Sequence, residues 1–287
     1  MTTGPSDASR VGPHLRMMLP GLTGLEAKVV KLMLQSDLFN AATPLHSLAN
    51  TAGVSDAMVV KVAKKLGFAG FKEMREQVSQ YNQLPTADLF REIRSDDPAR
   101  AILEKVFRTA MQALEETLTI IDTDAFERAA SAIAGARQRD FYGLGGSAQI
   151  ARDVAHKFLR IGVRCSVFDD AHMMLMSANL LGPQDVAVAF SHSGQTSSVI
   201  EAISTARRTG AKTIVVTCYP NAPLTQEGDI ILSATARGSE LLGENAAARV
   251  AQLSLLDALF VAVAQRDYAG AERRLRRTMN AIIGRRS

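Results

Sequence analysis

From Asp140 onward the chain alternates short apolar runs with longer amphipathic stretches. The runs "DFYGL", "VRCSVF", "DVAVAF", "KTIVVT" and "DIILSA" are rich in branched residues, and helix-length segments separate most of them. That alternation predicts βαβ units and a doubly wound, mainly parallel five-stranded sheet with helices on both faces. Before residue 82 only helical periods occur. Thr23 and Glu26 have capping-box spacing ahead of the amphipathic run "AKVVKLMLQ". A second helix starts near Thr43–Pro44, with Pro44 at its first position, and stops at Gly53. Ser55 caps a third, which ends at Gly67. The fold class is therefore α/β with an all-α N-terminal domain. The stretch "NQLPTADLFREIRSDDPAR" has two prolines, mixed charge and no sustained apolar period, and it reads as a linker over 82–98. The predicted domains are 1–81 and 99–287, the latter opening with helices over roughly Ala101–Ile120 and Asp124–Ala136.

The segment "LHSLANTAGVSDAMVVKVAKKL" fits a helix-turn-helix. Ala49 is the small residue where two helices cross, Gly53 makes the turn, and Leu48, Val54, Val59 and Val62 are the apolar anchors. A helical hairpin used only for packing is the bland alternative. On the helix-turn-helix reading, residues from Ser55 to Leu66 form the recognition helix that enters the major groove. Its outward residues are Ser55, Asp56, Ala57, Val60, Lys61 and Lys64. Ser55 and Asp56 stand at the end that reaches base edges, although an acid in a first helical turn serves the dipole equally well. Lys61 suits a guanine or a phosphate, and Lys64, Lys65 and Lys72 suit backbone phosphates. One such module binds weakly alone, so at least a homodimer is expected, with a homotetramer left open.

Two strand-to-helix turns in the second half carry the candidate chemistry. The first, within "FYGLGGSAQIARD", has Gly143, Gly145 and Gly146 ahead of a helix N-terminus, where free N–H groups suit an anion and Ser147 adds a hydroxyl. The second, "VAFSHSGQTSS", ends a buried run at Phe190 and places Ser191, Ser193, Thr196 and Ser197 on one turn. A helix cap needs one hydroxyl, so capping leaves the others unexplained. "GLGGSA" also nearly matches a dinucleotide fingerprint, with Ala148 in the third glycine's place and Asp169 and Asp170 near the ribose-binding position. A dinucleotide site has no use for a second hydroxyl-rich turn, whereas one compact phosphate gripped from two sides does.

Composition narrows the field further. Of 287 residues, 47% are hydrophobic and 22% charged, and the net charge is +4, which suits a globular protein with a sizeable core. No run approaches the ~18 apolar residues of a membrane span. The N-terminus lacks a basic-then-apolar signal pattern, so a cytoplasmic, nucleoid-associated protein with a short loose N-terminal arm is expected. Cys165 and Cys218 sit in strand-like contexts and read as buried thiols, and the five histidines lack metal-ligand spacing. Neither a metal nor a cofactor is expected. The run "ERRLRRT" from Glu272 reads as a solvated helix face.

The paired G-x-G-x-S and S-x-S-G-x-T turns resemble the sugar isomerase (SIS) domain over roughly Arg139 to Arg266. With the helix-turn-helix in front and "LGFAGFKEMR" behind it, nearly the whole chain resembles the MurR/RpiR family of bacterial transcriptional regulators. Many members have Thr and Arg where this chain has Met58 and Lys61. The runs "VSDAMVVKV", "YGLGGS", "HKFLRIGVRC" and "DAHMMLMSANLL" are similar to a family member that represses ribose-phosphate isomerase B and allose genes. The resemblance implies a repressor, not an enzyme, controlled by a phosphorylated sugar, with ribose 5-phosphate and allose 6-phosphate the first candidates. It implies phosphate contacts from Ser147, Ser191, Ser193 and Thr196, completed by backbone at Gly145, Gly146, His192, Gly194 and Gln195. Asp170, His172 and Glu244 are candidates for the sugar end, with a helix cap and a packed histidine as the plain readings of the first two. The alternatives are a sugar-phosphate isomerase carrying a DNA module, with Glu244 or His172 as base, and a nicotinamide-dependent regulator using Asp169.

Overall fold

The computed structural model describes residues 7–87, 93–236 and 245–283. By their contacts these form two compact units, Met1–Ile120 with Thr235–Ala251, and Ile121–Ala234 with Gln252–Ser287.

The first unit is helical: α1 (Ala8–Met18), α2 (Gly24–Met33), α3 (Leu45–Ala52), α4 (Asp56–Lys65), α5 (Phe71–Asn82) and α6 (Ala99–Ile120). The capping box forms as spelled: the Thr23 hydroxyl accepts from the Glu26 N–H, and the Glu26 carboxylate accepts from the Thr23 N–H at 2.8 Å. Pro44 is the cap residue of α3 rather than its first residue, with its extended φ and ψ placed before the helix. Gly53 closes α3 at φ +74, in the left-handed region that glycine enters without a Cβ clash. The predicted loose arm is instead a helix. Asp7 caps α1 by accepting from the Ser9 N–H, and Val11 and Leu15 are fully buried. The core gathers Val30, Met33, Leu48, Val59, Leu66 and Met74 around them. α6, on the far side of the predicted linker, groups with this helical unit.

The second unit holds β1 (Arg139–Gly143), β2 (Ser166–Phe168), β3 (Val186–Phe190), β4 (Lys212–Thr217) and β5 (Ile230–Ser233), all paired in parallel in the order β2-β1-β3-β4-β5. Residues of alternating parity feed two cores. Phe141, Val188, Phe190, Ile214 and Val216 face one layer, whereas Tyr142, Ala187, Ala189 and Val215 face the other. The first layer is closed by α7 (Thr123–Gly135), α8 (Gly146–Arg160), the second half of α11 (Asn245–Gln265) and α12 (Tyr268–Ile283). The second is closed by α9 (Ala171–Leu180) and α10 (Ser197–Arg208). α11 contains an apolar stretch, Ala246–Gln265, long enough to span a membrane, but its Leu255, Leu256, Leu259 and Val263 are buried in the sheet's core. Cys218 is buried as expected, while Cys165 is half-buried, its thiol pushed up to about 12 by burial.

Candidate functional site

β1 and β3 are neighbours whose connections leave in opposite directions. β1 runs through α8 to β2 on one side, and β3 runs through α10 to β4 on the other. A doubly wound sheet opens a crevice at the carboxyl ends of its strands at such a switch point. Gly143 is in register with Phe190, so the two candidate turns start side by side, about 4.8 Å apart.

The first turn brings backbone close. A Cβ on Gly143 would sit 3.1 Å from the Ser147 carbonyl carbon, so the strand end lies tight against the first turn of α8. Gly145 caps α8 at φ +54 with no side-chain cap bond, and Gly145 and Gly146 are both exposed. The Ser147 N–H bonds back to the Leu144 carbonyl at 3.1 Å.

The second turn is bonded internally. The Gly194 N–H donates to Ser191 Oγ at 3.1 Å, the Gln195 N–H donates to Ser193 Oγ at 3.3 Å, and Ser191 Oγ lies 3.3 Å from Thr196 Oγ1. Thr196 is the cap residue of α10, yet its side chain makes no cap bond. Gly194 has φ +62, and a Cβ there would fall 2.5 Å from the Ala222 Cβ. The His192 carbonyl accepts from the Cys218 N–H at 3.1 Å and from Thr217 Oγ1 at 3.2 Å, and the His192 ring meets Tyr219 edge-on. A hydroxyl that accepts from a backbone N–H keeps its own proton to donate. Two helix N-termini beside such hydroxyls can hold a compact anion without a cationic side chain.

The remaining predicted residues disperse. The Asp170 carboxylate caps α9, accepting from the His172 and Met173 N–H groups, each at 3.0 Å, and the His172 side chain is exposed. Asp169 is ion-paired to Arg152. Glu244 lies outside the described residues. A separate cavity of about 350 Å³ lies at the other end of the strands, where Asp140, Ser177 and Asp185 line it. Burial raises the Asp140 pKa, and the Arg137 guanidinium holds Asp185 below the usual carboxylate range.

In the helical unit α4 presents Ser55, Asp56, Ala57, Lys61 and Lys64 to solvent, while Val60 is half-buried at the core's margin. Ser55 caps α4, accepting from the Met58 N–H at 3.3 Å. Asp56 faces His46 of α3 at 3.4 Å. Lys72 is exposed on α5. Lys65 is exposed as well, but its Nζ donates to Glu26 Oε2 at 2.7 Å, which holds that buried carboxyl below its ordinary range. Only the tertiary fold brings these two residues together, because 39 positions separate them.

Sequence reading also missed a buried polar cluster. The Tyr81 hydroxyl donates to Glu116 Oε1 at 2.6 Å and accepts from Arg16 Nη2 at 3.1 Å, and Arg16 is ion-paired to Glu116. Gln112 donates to both the Tyr81 and Glu116 oxygens. A Cβ on Gly12 would lie 2.2 Å from the Tyr81 ring, so the ring fits because residue 12 has no side chain.

Comparison with known proteins joins the two halves. Residues 132–262 match the SIS domain, and residues 10–84 match the helix-turn-helix domain of the rpiR family. The transcriptional regulator RpiR of Escherichia coli (strain K12) is 41% identical over 273 residues, covering 95% of this chain and 92% of that protein. The chain belongs to the RpiR family of transcriptional regulators. Its relatives there include HexR of Pseudomonas aeruginosa, 27% identical, with 94% of each chain covered. Among solved structures, the Vibrio vulnificus NanR protein complexed with ManNAc-6P superposes with a TM-score of 0.61 at 23% identity, covering 96% of this chain and 99% of that one, and shares the fold. The chain is thus a DNA-binding transcriptional regulator with a SIS domain, and its named relatives are regulators, not enzymes.

Proposed function

We propose that the protein is a repressor of sugar-catabolism genes whose operator affinity is set by a phosphorylated sugar held between the Gly143–Ser147 and Ser191–Thr196 turns. The observation that carries this reading is the adjacency of the two turns at the β1/β3 switch point, each opening a helix that lacks a side-chain cap. Ser147, Ser191, Ser193 and Thr196 donate to the phosphate, and the N-termini of α8 and α10 supply the positive potential. On the DNA side, Ser55, Asp56 and Lys61 face base edges, and Lys64 and Lys72 meet phosphates. Lys65, held by Glu26, fixes the last turn of α4 instead of reaching the duplex.

Two recognition helices are needed for a specific site, and α6 offers the surface to pair them. Leu103, Phe107, Met111, Leu114 and Leu118 recur at helical spacing and are all exposed. Arg108 stands in the first half of that helix and Glu115 in the second, while Arg100 is ion-paired to Glu104 within the helix. An antiparallel pairing with a second copy sets opposite charges against each other. Replacing Phe107 by Glu is expected to give a monomer in light scattering; a variant that remains a dimer would move the interface elsewhere.

The deciding experiment measures binding to the protein's own selected DNA with and without a panel of phosphorylated pentoses, hexoses and N-acetylhexosamines, led by ribose 5-phosphate. Unchanged DNA affinity with every compound would refute control by sugar phosphate. Turnover of any compound would favour an isomerase instead.

A further inference from the structure

We propose that Glu116 and Thr117, consecutive residues of α6, are positioning residues that pass the state of the Ser191–Thr196 turn to the recognition helix α4. This rests on the functional reading above and adds the route by which the ligand would act.

Within the sheet unit, the His192 carbonyl of the hydroxyl-rich turn accepts from Thr217 Oγ1 at 3.2 Å. The Thr217 carbonyl in turn accepts from the Ala234 N–H at 3.1 Å. The next peptide bond leads to Thr235. Its N–H donates to Thr117 Oγ1 at 3.0 Å, and its carbonyl accepts from that same hydroxyl at 3.2 Å. One residue back along α6, Glu116 takes the Tyr81 hydroxyl and the Arg16 guanidinium. Arg16 lies on α1 two residues from His14, whose Nε2 donates to the Leu66 carbonyl at 2.9 Å, at the end of α4. The route from the turn to the recognition helix thus consists of hydrogen bonds, one ion pair and the chain itself.

Two properties make this a route rather than a run of incidental bonds. Thr217, Thr235, Thr117, Glu116, Tyr81 and Arg16 are each less than 5% exposed, so a bond broken here is not replaced by water. The ion pair is also incompletely served. Burial disfavours the Arg16 charge, but Glu116 and Tyr81 together outweigh it and raise the pKa, yet Arg16 Nε and Nη1 have no hydrogen-bond partner among the described residues. One peptide bond joins Thr117 to Glu116, so a shift at Thr117 displaces Glu116 with it.

The test compares wild type with Thr117→Val and Tyr81→Phe, with Thr278→Val as a control. The control removes a threonine hydroxyl bonded to a backbone carbonyl away from the route. Each protein is titrated with ribose 5-phosphate, or with the first compound of the panel that shifts wild type, and with a DNA duplex enriched by wild type from a random library. The ligand is expected to change wild-type DNA affinity by about 5-fold or more. Thr117→Val and Tyr81→Phe should bind the ligand and, without it, the DNA as wild type does, but respond by less than about 2-fold; Thr278→Val should respond in full. Either route variant responding in full, or the control losing its response equally, overturns the proposal while leaving sugar-phosphate control intact. A wild type that responds to no sugar phosphate overturns both. Thermal unfolding separates a misfolded variant from an uncoupled one, and Tyr81→Phe carries the test if Thr117→Val does not fold.

Discussion

The Gly143–Ser147 turn has three glycines and one hydroxyl; the Ser191–Thr196 turn has one glycine among three hydroxyls. In the first, backbone is brought to the surface and little holds it except the N–H of Ser147 on Leu144. In the second, Ser191 and Ser193 tie down the very N–H groups that an anion would otherwise seek, and Gly194 is wedged against Ala222. On the proposed reading, the two turns prepare an anion site in two ways. One leaves dipoles exposed, and the other fixes hydroxyl donors in advance so that less order is lost when the ligand arrives.

The contrast is most easily broken at Gly194. Valine there meets both a positive φ and a contact of 2.5 Å, so Gly194→Val is expected to lower stability by about 2–4 kcal/mol, read from denaturant unfolding. Gly145→Ala tests the opposite turn, where φ is also positive but nothing lies within 4 Å of the added carbon. Its cost should be about 1–3 kcal/mol, from backbone strain alone, and a cost equal to that at Gly194 would erase the distinction between the turns. Ser193→Ala should leave stability within about 0.5 kcal/mol of wild type and weaken sugar-phosphate binding about tenfold in a calorimetric titration. Binding as tight as wild type would place the site on another turn.

The smallest effect concerns acid. Neither turn contains a carboxylate, so the acid limb of stability is set elsewhere, in part by Asp185 at the opposite end of β3 and Glu26 in the helical unit. Arg137 lowers the folded pKa of the first, and the Lys65 hydrogen bond lowers that of the second. A carboxylate with a depressed folded pKa contributes stability above its unfolded value, about 4, and loses it as pH falls through the folded value. Asp185→Asn should therefore flatten unfolding free energy against pH below about 4, with Ser193→Ala leaving that slope untouched.

Much of this was legible in the sequence because local chemistry decides it. Thr23 with Glu26, Ser55, and Gly53 act within a few residues, and all three act as their types predict. The five strands appeared as branched runs for the same reason. α1 was hidden because Pro13 interrupts its pattern and its first turn lacks an acid; its burial depends on α5 and α6. The adjacency of the two turns follows from strand order, which no single segment encodes. Long-range partners such as Lys65 with Glu26, or Tyr81 with Glu116, leave no local mark at all.

The bond between Lys65 and Glu26 has a consequence for how DNA binding responds to ionic strength. Each lysine that neutralises a phosphate releases counterions and steepens the fall of log K with log salt by about 0.9. On the proposed reading Lys64 and Lys72 each add to that slope, whereas Lys65 is already paired with Glu26. Its removal would loosen the end of α4 yet leave the number of displaced counterions unchanged.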